Sequence, residues 1–188
     1  MKDPIEVLLD EHKIITSAID LANHADELWL KNEAVYEIII RKLISFFRIY
    51  ADLYHHHKEE KILFPEMQKK NELLQDGVLK EMFNNHEDFR NMINSIETFL
   101  DKKNYQSAQE QLNIYLEDLL DHIAVENEEV FQIAETLFNK EELEKIYFRF
   151  QDSDFETEEQ NKINGLPNKS ELAKELQEMH KTFLVKQH

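Results

Sequence analysis

The stretch His55-His56-His57-Lys58-Glu59-Glu60-Lys61-Ile62-Leu63-Phe64-Pro65 sets imidazoles and carboxylates one helical turn apart inside an otherwise apolar, amphipathic pattern. Residues four apart share a helix face, so His55 and Glu59 are able to point at one atom. Neutral imidazole with carboxylate is a donor set suited to iron, manganese or zinc. One HxxxE pair is weak by itself, because helices contain such pairs by chance. A second copy follows, His122-Ile123-Ala124-Val125-Glu126, continuing as Asn127-Glu128-Glu129-Val130-Phe131. In both copies an aliphatic residue and a phenylalanine stand eight and nine positions after the histidine: Leu63 and Phe64, then Val130 and Phe131.

Working outward, hydrophobic periodicity predicts four long helices with short connections, hence an all-α, up-down-up-down four-helix bundle. The first starts at Asp3 as cap with Pro4 at the first helical position, and its face of Ile5, Leu8, His12, Ile15 and Ile19 continues to about Leu30. The second covers residues 34–70, with Ile40, Leu43, Ile44, Phe47, Ala51, His55, Glu59 and Ile62 inward; Pro65 is expected to kink it or tighten its last turns. Gly77 marks the break before a third helix over 78–100, whose stripe carries His86 between Phe83 and Phe89. The fourth covers 105–137, with Leu119, His122, Glu126 and Val130 inward. Each half thus has a mid-helix histidine, a turn, and an HxxxE pair.

Helix arithmetic brings these residues to one level. About 19 residues lead from His12 to the turn and about 23 back to His55, which at ~1.5 Å per residue differ by only ~6 Å, one turn. The paths from His86 to His122 and from Glu59 to His86 match as well. Taken singly, His12 or His86 reads as a buried, hydrogen-bonded histidine, and His55 with Glu59 as a surface pair. Together they would be four core histidines and two core carboxylates in one layer. Burying Glu59 and Glu126 as free carboxylates costs several kcal/mol each without a compensating cation.

The composition agrees with this and excludes much else. The chain has 188 residues, 41% apolar and 32% charged, enough for one domain with a sizeable core and an appendage. Two glycines and three prolines are too few for a loop-rich or β-rich fold. The absence of cysteine removes disulfides, thiolate zinc, iron–sulfur clusters and a cysteine nucleophile from consideration. No apolar run approaches the ~20 residues of a membrane span, and the Met1-Lys2-Asp3-Pro4 start carries no secretory signal, so a soluble cytoplasmic protein is expected. The net charge of −17 argues against nucleic acid or anionic membrane as partners.

After Leu137 the pattern changes. Residues 141–150 read as a short fifth helix, 151–169 as an acidic polar loop or linker, and a last amphipathic helix is capped by Ser170, with Leu172, Leu176, Met179 and Phe183 on one face. The expected organisation is a bundle over 1–138 holding a di-metal site and a helical extension over 139–188. That last helix packs back on the bundle or serves a dimer contact. Tyr54 and Tyr115 lie near the ligand level and read as core; His180 and His188 read as surface and terminal residues.

The run HHHKEEKILFP resembles the signature of the hemerythrin-like, or HHE cation-binding, family. The resemblance extends to EVLLDEHKII around His12, NNHEDFR around His86 and DHIAVENEEVF around His122, and covers about residues 3–137. It implies a four-helix bundle holding a non-haem di-iron centre, two irons per chain, with manganese or zinc as other occupants. It carries over to His12, His55, Glu59, His86, His122 and Glu126, with the two glutamates bridging the irons and the histidines capping them. Family sites often have a fifth histidine. His56 is the best fifth although it is rotated ~100° from His55; His24 lies ~120° round the helix from His12, and His57 points further away and reads as exposed. The second copy ends VFQ where relatives usually have LFP, so the fourth helix is expected to run straighter.

A ferritin-like carboxylate site uses ExxH spacing, whereas this chain has HxxxE. The functional expectation is a metal-binding module for O2 or NO sensing or binding, or for redox sensing or iron handling. The enzyme reading is an oxidoreductase acting on NO or peroxide, or an iron-donating repair protein. A purely structural zinc or manganese site is the third.

Overall fold

The computed structural model describes residues 3–26 and 28–185, with side chains as far as residue 182. Among these residues there is no strand, and six long helices make an all-α, hemerythrin-like bundle. Met1-Lys2, the Phe183 side chain and His188 lie outside the described residues.

Helix α1 is Pro4–His24, started by the Asp3 side chain accepting from the Ile5 N–H. It stops short of the predicted end, and Leu28–Lys31 is a separate turn. Helix α2 is unbroken over 33–70, begun by Asn32 accepting from the Val35 N–H. It includes two stretches of wider i→i+5 turns, Phe47–His56 and Glu59–Leu63. A tight turn at Glu72–Asp76 and the break at Gly77 lead into α3, Val78–Asp101. Helix α4 is unbroken over 105–137 and widens at Glu126–Val130.

The core is divided in two. One apolar cluster contains Ile15, Tyr54, Phe89 and Leu119; the other contains Leu8, Ile62, Met82 and Val130. On every helix the predicted histidine falls between the two. Along α1 the order is second cluster then first, along α2 the reverse, and so on alternately, as the up-down-up-down topology requires.

Three expectations about the C-terminal part are corrected. Residues 151–169 are not a linker: α5 runs from Lys140 to Asn164 and ends on Gly165, whose φ of 68° is the left-handed conformation that closes a helix. Its buried seam changes from Ile146 and Phe150 to Ser153 and Asn161, so a helix that is polar in composition still has an inward face. The next helix, α6 (Lys169–Val185), is capped by Asn168 and not Ser170: the Asn168 side chain accepts from the Glu171 N–H, and the Glu171 carboxylate accepts from the Asn168 N–H. Leu172 and Leu176 of α6 are buried in the first cluster, against this chain's own bundle. His180 is half-buried, its ring 2.7 Å from the Ser17 carbonyl oxygen, and not a plain surface residue.

At the far end of the bundle Glu37 ties α2 to the α3–α4 turn, accepting from Lys103 at 2.6 Å, Tyr105 at 3.0 Å and Arg41 at 3.0 Å. The Lys103 ammonium, then the Arg41 guanidinium, hold its carboxyl down to about 2. A carboxyl depressed in the folded state stabilises the fold above its unfolded value of 4.5 and loses that contribution as pH falls through about 2. Glu37→Gln is therefore expected to cost about 1 kcal/mol at most near neutrality. In urea titrations the gap between the two proteins should close as the pH is lowered from 4.5 to 2; a gap independent of pH would contradict this.

Candidate metal centre

All seven predicted residues, His12, His55, His56, Glu59, His86, His122 and Glu126, meet in the layer between the two apolar clusters, and all are buried. They form two groups. His12 and His55 face each other with Nε2 atoms 2.8 Å apart, and the Nε2 atoms of His86 and His122 are 3.0 Å apart with His56 stacked on His86. The glutamates lie between the groups. Glu59 turns Oε1 to His55 at 3.4 Å and Oε2 toward His86 at 3.7 Å; Glu126 turns Oε2 to His12 at 3.2 Å and Oε1 to His122 at 3.1 Å.

The wide helical turns deliver this arrangement. An i→i+5 turn spreads its rotation over more residues than an α-turn, so successive side chains diverge less than the ~100° of an α-helix. The first such stretch ends at His56, which is how two adjacent histidines both face inward. The other two begin at Glu59 and at Glu126, which lets the following residue face inward as well. In each case the Phe N–H closing the turn bonds to the glutamate carbonyl five residues back: Phe64 to Glu59, Phe131 to Glu126. The VFQ copy thus widens just as the LFP copy does, against the expectation of a straighter fourth helix. Proline is therefore not the cause, and just before Pro65, where a kink or a tightening was expected, the turn widens.

The outer nitrogens of the rings are tied down. His55 Nδ1 donates to Glu11 Oε2 at 2.9 Å, His12 Nδ1 to Asn127 Oδ1 at 2.8 Å, and His86 Nδ1 to Glu60 Oε1 at 3.0 Å. The Asn85 amide stands 3.4 Å from His122 Nδ1, and Asp52 3.5 Å from His56 Nδ1. The two halves correspond: the residue before His12 or His86 reaches the HxxxE histidine, and the residue after Glu59 or Glu126 reaches the mid-helix histidine. Phe131 stacks on His12 at 5.4 Å and Phe64 on His86 at 6.2 Å, which gives the repeated phenylalanine its role.

With Nδ1 protonated, Nε2 carries a lone pair. His12 and His55 therefore direct two lone pairs at each other across 2.8 Å, and neither oxygen of Glu59 or Glu126 has a hydrogen-bond partner. Such a layer is repulsive by itself and suited to cations. Donors ~2.1 Å from a shared metal, at right angles, lie ~3 Å apart, close to the separations seen. Burial, then His12, pushes the His55 ring down to about 4, and burial with His86 pushes His56 well below its ordinary value, which favours the neutral ring in both. Burial and the Glu126 carboxylate push Glu59 well up.

His24 is exposed and bonds to the Asp20 carbonyl on its own helix; His57 is half-buried and not fully exposed, and neither joins the layer. Tyr115 packs edge-on against Phe47 and Phe89, as core. Sequence reasoning missed Glu11, Glu60, Asn127 and Lys58. For Glu11, Glu60 and Asn127 the usable signal was their place beside a predicted site residue in both copies; Lys58 offered none, since Val125 stands at the matching place. Lys58 is wholly buried and paired with Glu11 at 2.9 Å and Asp154 at 2.6 Å. Burial pushes the Glu11 carboxyl up, but the Lys58 ammonium, the His55 hydrogen bond and the Lys169 ammonium outweigh it and leave it well below the usual carboxylate range.

No helix among the described residues is long and apolar enough to cross a membrane. Residues 3–134 match the model of the hemerythrin HHE cation binding domain. No curated protein matches the chain, and no solved structure matches it.

Proposed function

Because the chain belongs to the hemerythrin HHE cation-binding family, we propose that it is a non-haem di-iron protein that binds a small diatomic ligand, O2 or NO, for sensing, binding or iron handling. The observation that carries this reading is the placement of Glu59 and Glu126. Each turns one unpartnered oxygen toward each histidine group, as two bridges between two cations require. His12 and His55 would hold one metal, and His56, His86 and His122 the other. The first has one protein donor fewer, so an external ligand finds more room there. Two open-shell irons share the electrons of a transfer to a diatomic ligand, which a single zinc does not do. The chain's own residues hold the donors, fix their tautomers through Nδ1 and exclude water with an apolar cluster on either side. A cleft of about 330 Å³, with Phe47, Phe89 and Tyr115 but also Arg48, Asp52 and Arg90 in its wall, reaches His56 and His86 and so approaches the layer from the side of the second group.

The test is metal analysis and an optical spectrum on protein purified anaerobically, then exposed to air and separately to NO. Two irons per chain and a charge-transfer spectrum that reverses on removing oxygen are expected. His56→Ala should lose a metal and His24→Ala should keep both. Consumption of NO or peroxide would replace binding by an oxidoreductase reading. Tightly held zinc or manganese, without a visible band after iron reconstitution, would overturn the di-iron reading.

A further inference from the structure

Beyond the residues that match the family lie α5 and α6, and they supply two charges to the layer beneath His55. Glu11 divides its oxygens: Oε2 accepts from His55 Nδ1, while Oε1 takes the ammonium of Lys58 at 2.9 Å and that of Lys169. Asp154 of α5 closes the ring, with Oδ1 on Lys58 at 2.6 Å and Oδ2 on Lys169 at 2.8 Å. Lys169 is the first residue of α6 and lies over the faces of Tyr50 and Tyr54, 5.9 and 5.7 Å from their centroids. Two lysines and two carboxylates thus form a closed ring of compensated charge, half from the bundle and half from the extension.

The other half of the site is backed by charge from the bundle alone: behind His56 and His86, Arg90 bonds to Asp52 at 2.8 Å and to Glu60 at 2.7 Å. Where Glu11 reaches His55, the corresponding Asn85 reaches His122, a neutral amide in place of a carboxylate. Of the two HxxxE histidines, His55 alone has the charged version, and that version depends on α6 for one of its two cations.

We propose that Lys169 is a positioning residue for the metal centre, and that docking of α6 and metal binding at the His12–His55 group are coupled through the Lys169–Glu11–His55 chain. The inference rests on the metal-site reading above. With Lys169 in place, Glu11 keeps Oε2 free and aligned for His55 Nδ1, and the imidazole presents Nε2 to the layer. When α6 leaves, Glu11 retains Lys58 alone, Asp154 loses one partner, and the carboxylate is free to turn toward water. Coupling is reciprocal, so metal at the His12–His55 group favours docked α6 by the same factor that docked α6 favours metal.

Groups that orient a ligand from behind typically change metal affinity 10- to 100-fold, and that range is expected here. Fe(II) and, separately, Zn(II) would be titrated anaerobically into the full chain and into Lys169→Met and Lys169→Arg. Lys169→Met should bind one metal equivalent roughly 10- to 100-fold more weakly and shift the visible spectrum of the iron-loaded protein, and Lys169→Arg should restore both. Hydrogen exchange on the wild-type chain should show amides of 169–182 more protected with metal than without, by a similar factor. Unchanged affinity in Lys169→Met overturns the coupling and leaves the metal site standing. Should that variant not fold, equal exchange of 169–182 with and without metal in the wild type overturns it instead. A wild-type chain that takes up neither metal overturns both this inference and the reading on which it rests.

Discussion

Replacing Glu59 with leucine is expected to abolish stoichiometric metal binding and at the same time to stabilise the metal-free chain. The two effects have one cause. Glu59 is wholly buried, has no hydrogen-bond partner on either oxygen, and faces Glu126 across the layer. Without a cation its carboxyl either ionises beside another carboxylate or takes up a proton at a pH where it would rather not. An apolar side chain of similar size removes that burden, and such replacements of buried charge stabilise by about 1–4 kcal/mol. With metal the sign reverses. A ligand at 1,000 times its dissociation constant stabilises by about 4 kcal/mol, roughly 8–16 °C of melting temperature for a chain of this size. Wild type should therefore melt well above Glu59→Leu with metal and below it in chelator. If the variant melted lower in both conditions, Glu59 would be serving the fold and not a cation.

Phe131→Ala should cost about 3–5 kcal/mol, the usual penalty for deleting a buried ring. Phe131 is 1% exposed, belongs to the apolar cluster that α5 helps to build, and stacks on His12. The loss should appear first in the site. The ring of His12 is held by Asn127 on one nitrogen and by the Phe131 face, and removing the face leaves a single hydrogen bond to orient a ligand. The variant's charge-transfer band is expected to broaden and its metal to exchange faster with chelator, at temperatures where circular dichroism still reports a folded bundle. A fold weakened by the expected amount but with unchanged metal exchange would make Phe131 a packing residue alone.

The site was legible because its residues break a rule. Histidine and glutamate at positions that periodicity assigns to the interior are costly, and four helices repeating the breach at one level left few readings. His56 could be ranked above His24 by helix rotation, yet the reason it faces the layer, the wide turns of α2, has no residue signature. Proline suggested a local distortion at Pro65, but the same widening occurs after Glu126, where glutamine stands in its place. What the sequence hid were charges that end up buried. Lys58 stands between His57 and Glu59 in a run that reads as solvated surface, and its partners Glu11 and Asp154 come from helices far along the chain. The α5 helix was misread for a related reason: past Phe150 its inward face is Ser153 and Asn161, the second bonded to the Tyr54 hydroxyl at 3.3 Å, and polar contacts leave no hydrophobic period.

The layer of donors that separates the two apolar clusters also bears on cooperativity. Each cluster draws on all four helices of the bundle, and what lies between them, apart from the helices themselves, is a layer of facing lone pairs and unpartnered oxygens. Cations in that layer would turn mutual repulsion into shared bonds running from α1 to α4 and from α2 to α3. The loaded chain is then expected to unfold more cooperatively than the empty one. In a cell, the supply of metal would set how much of the chain survives long enough to act.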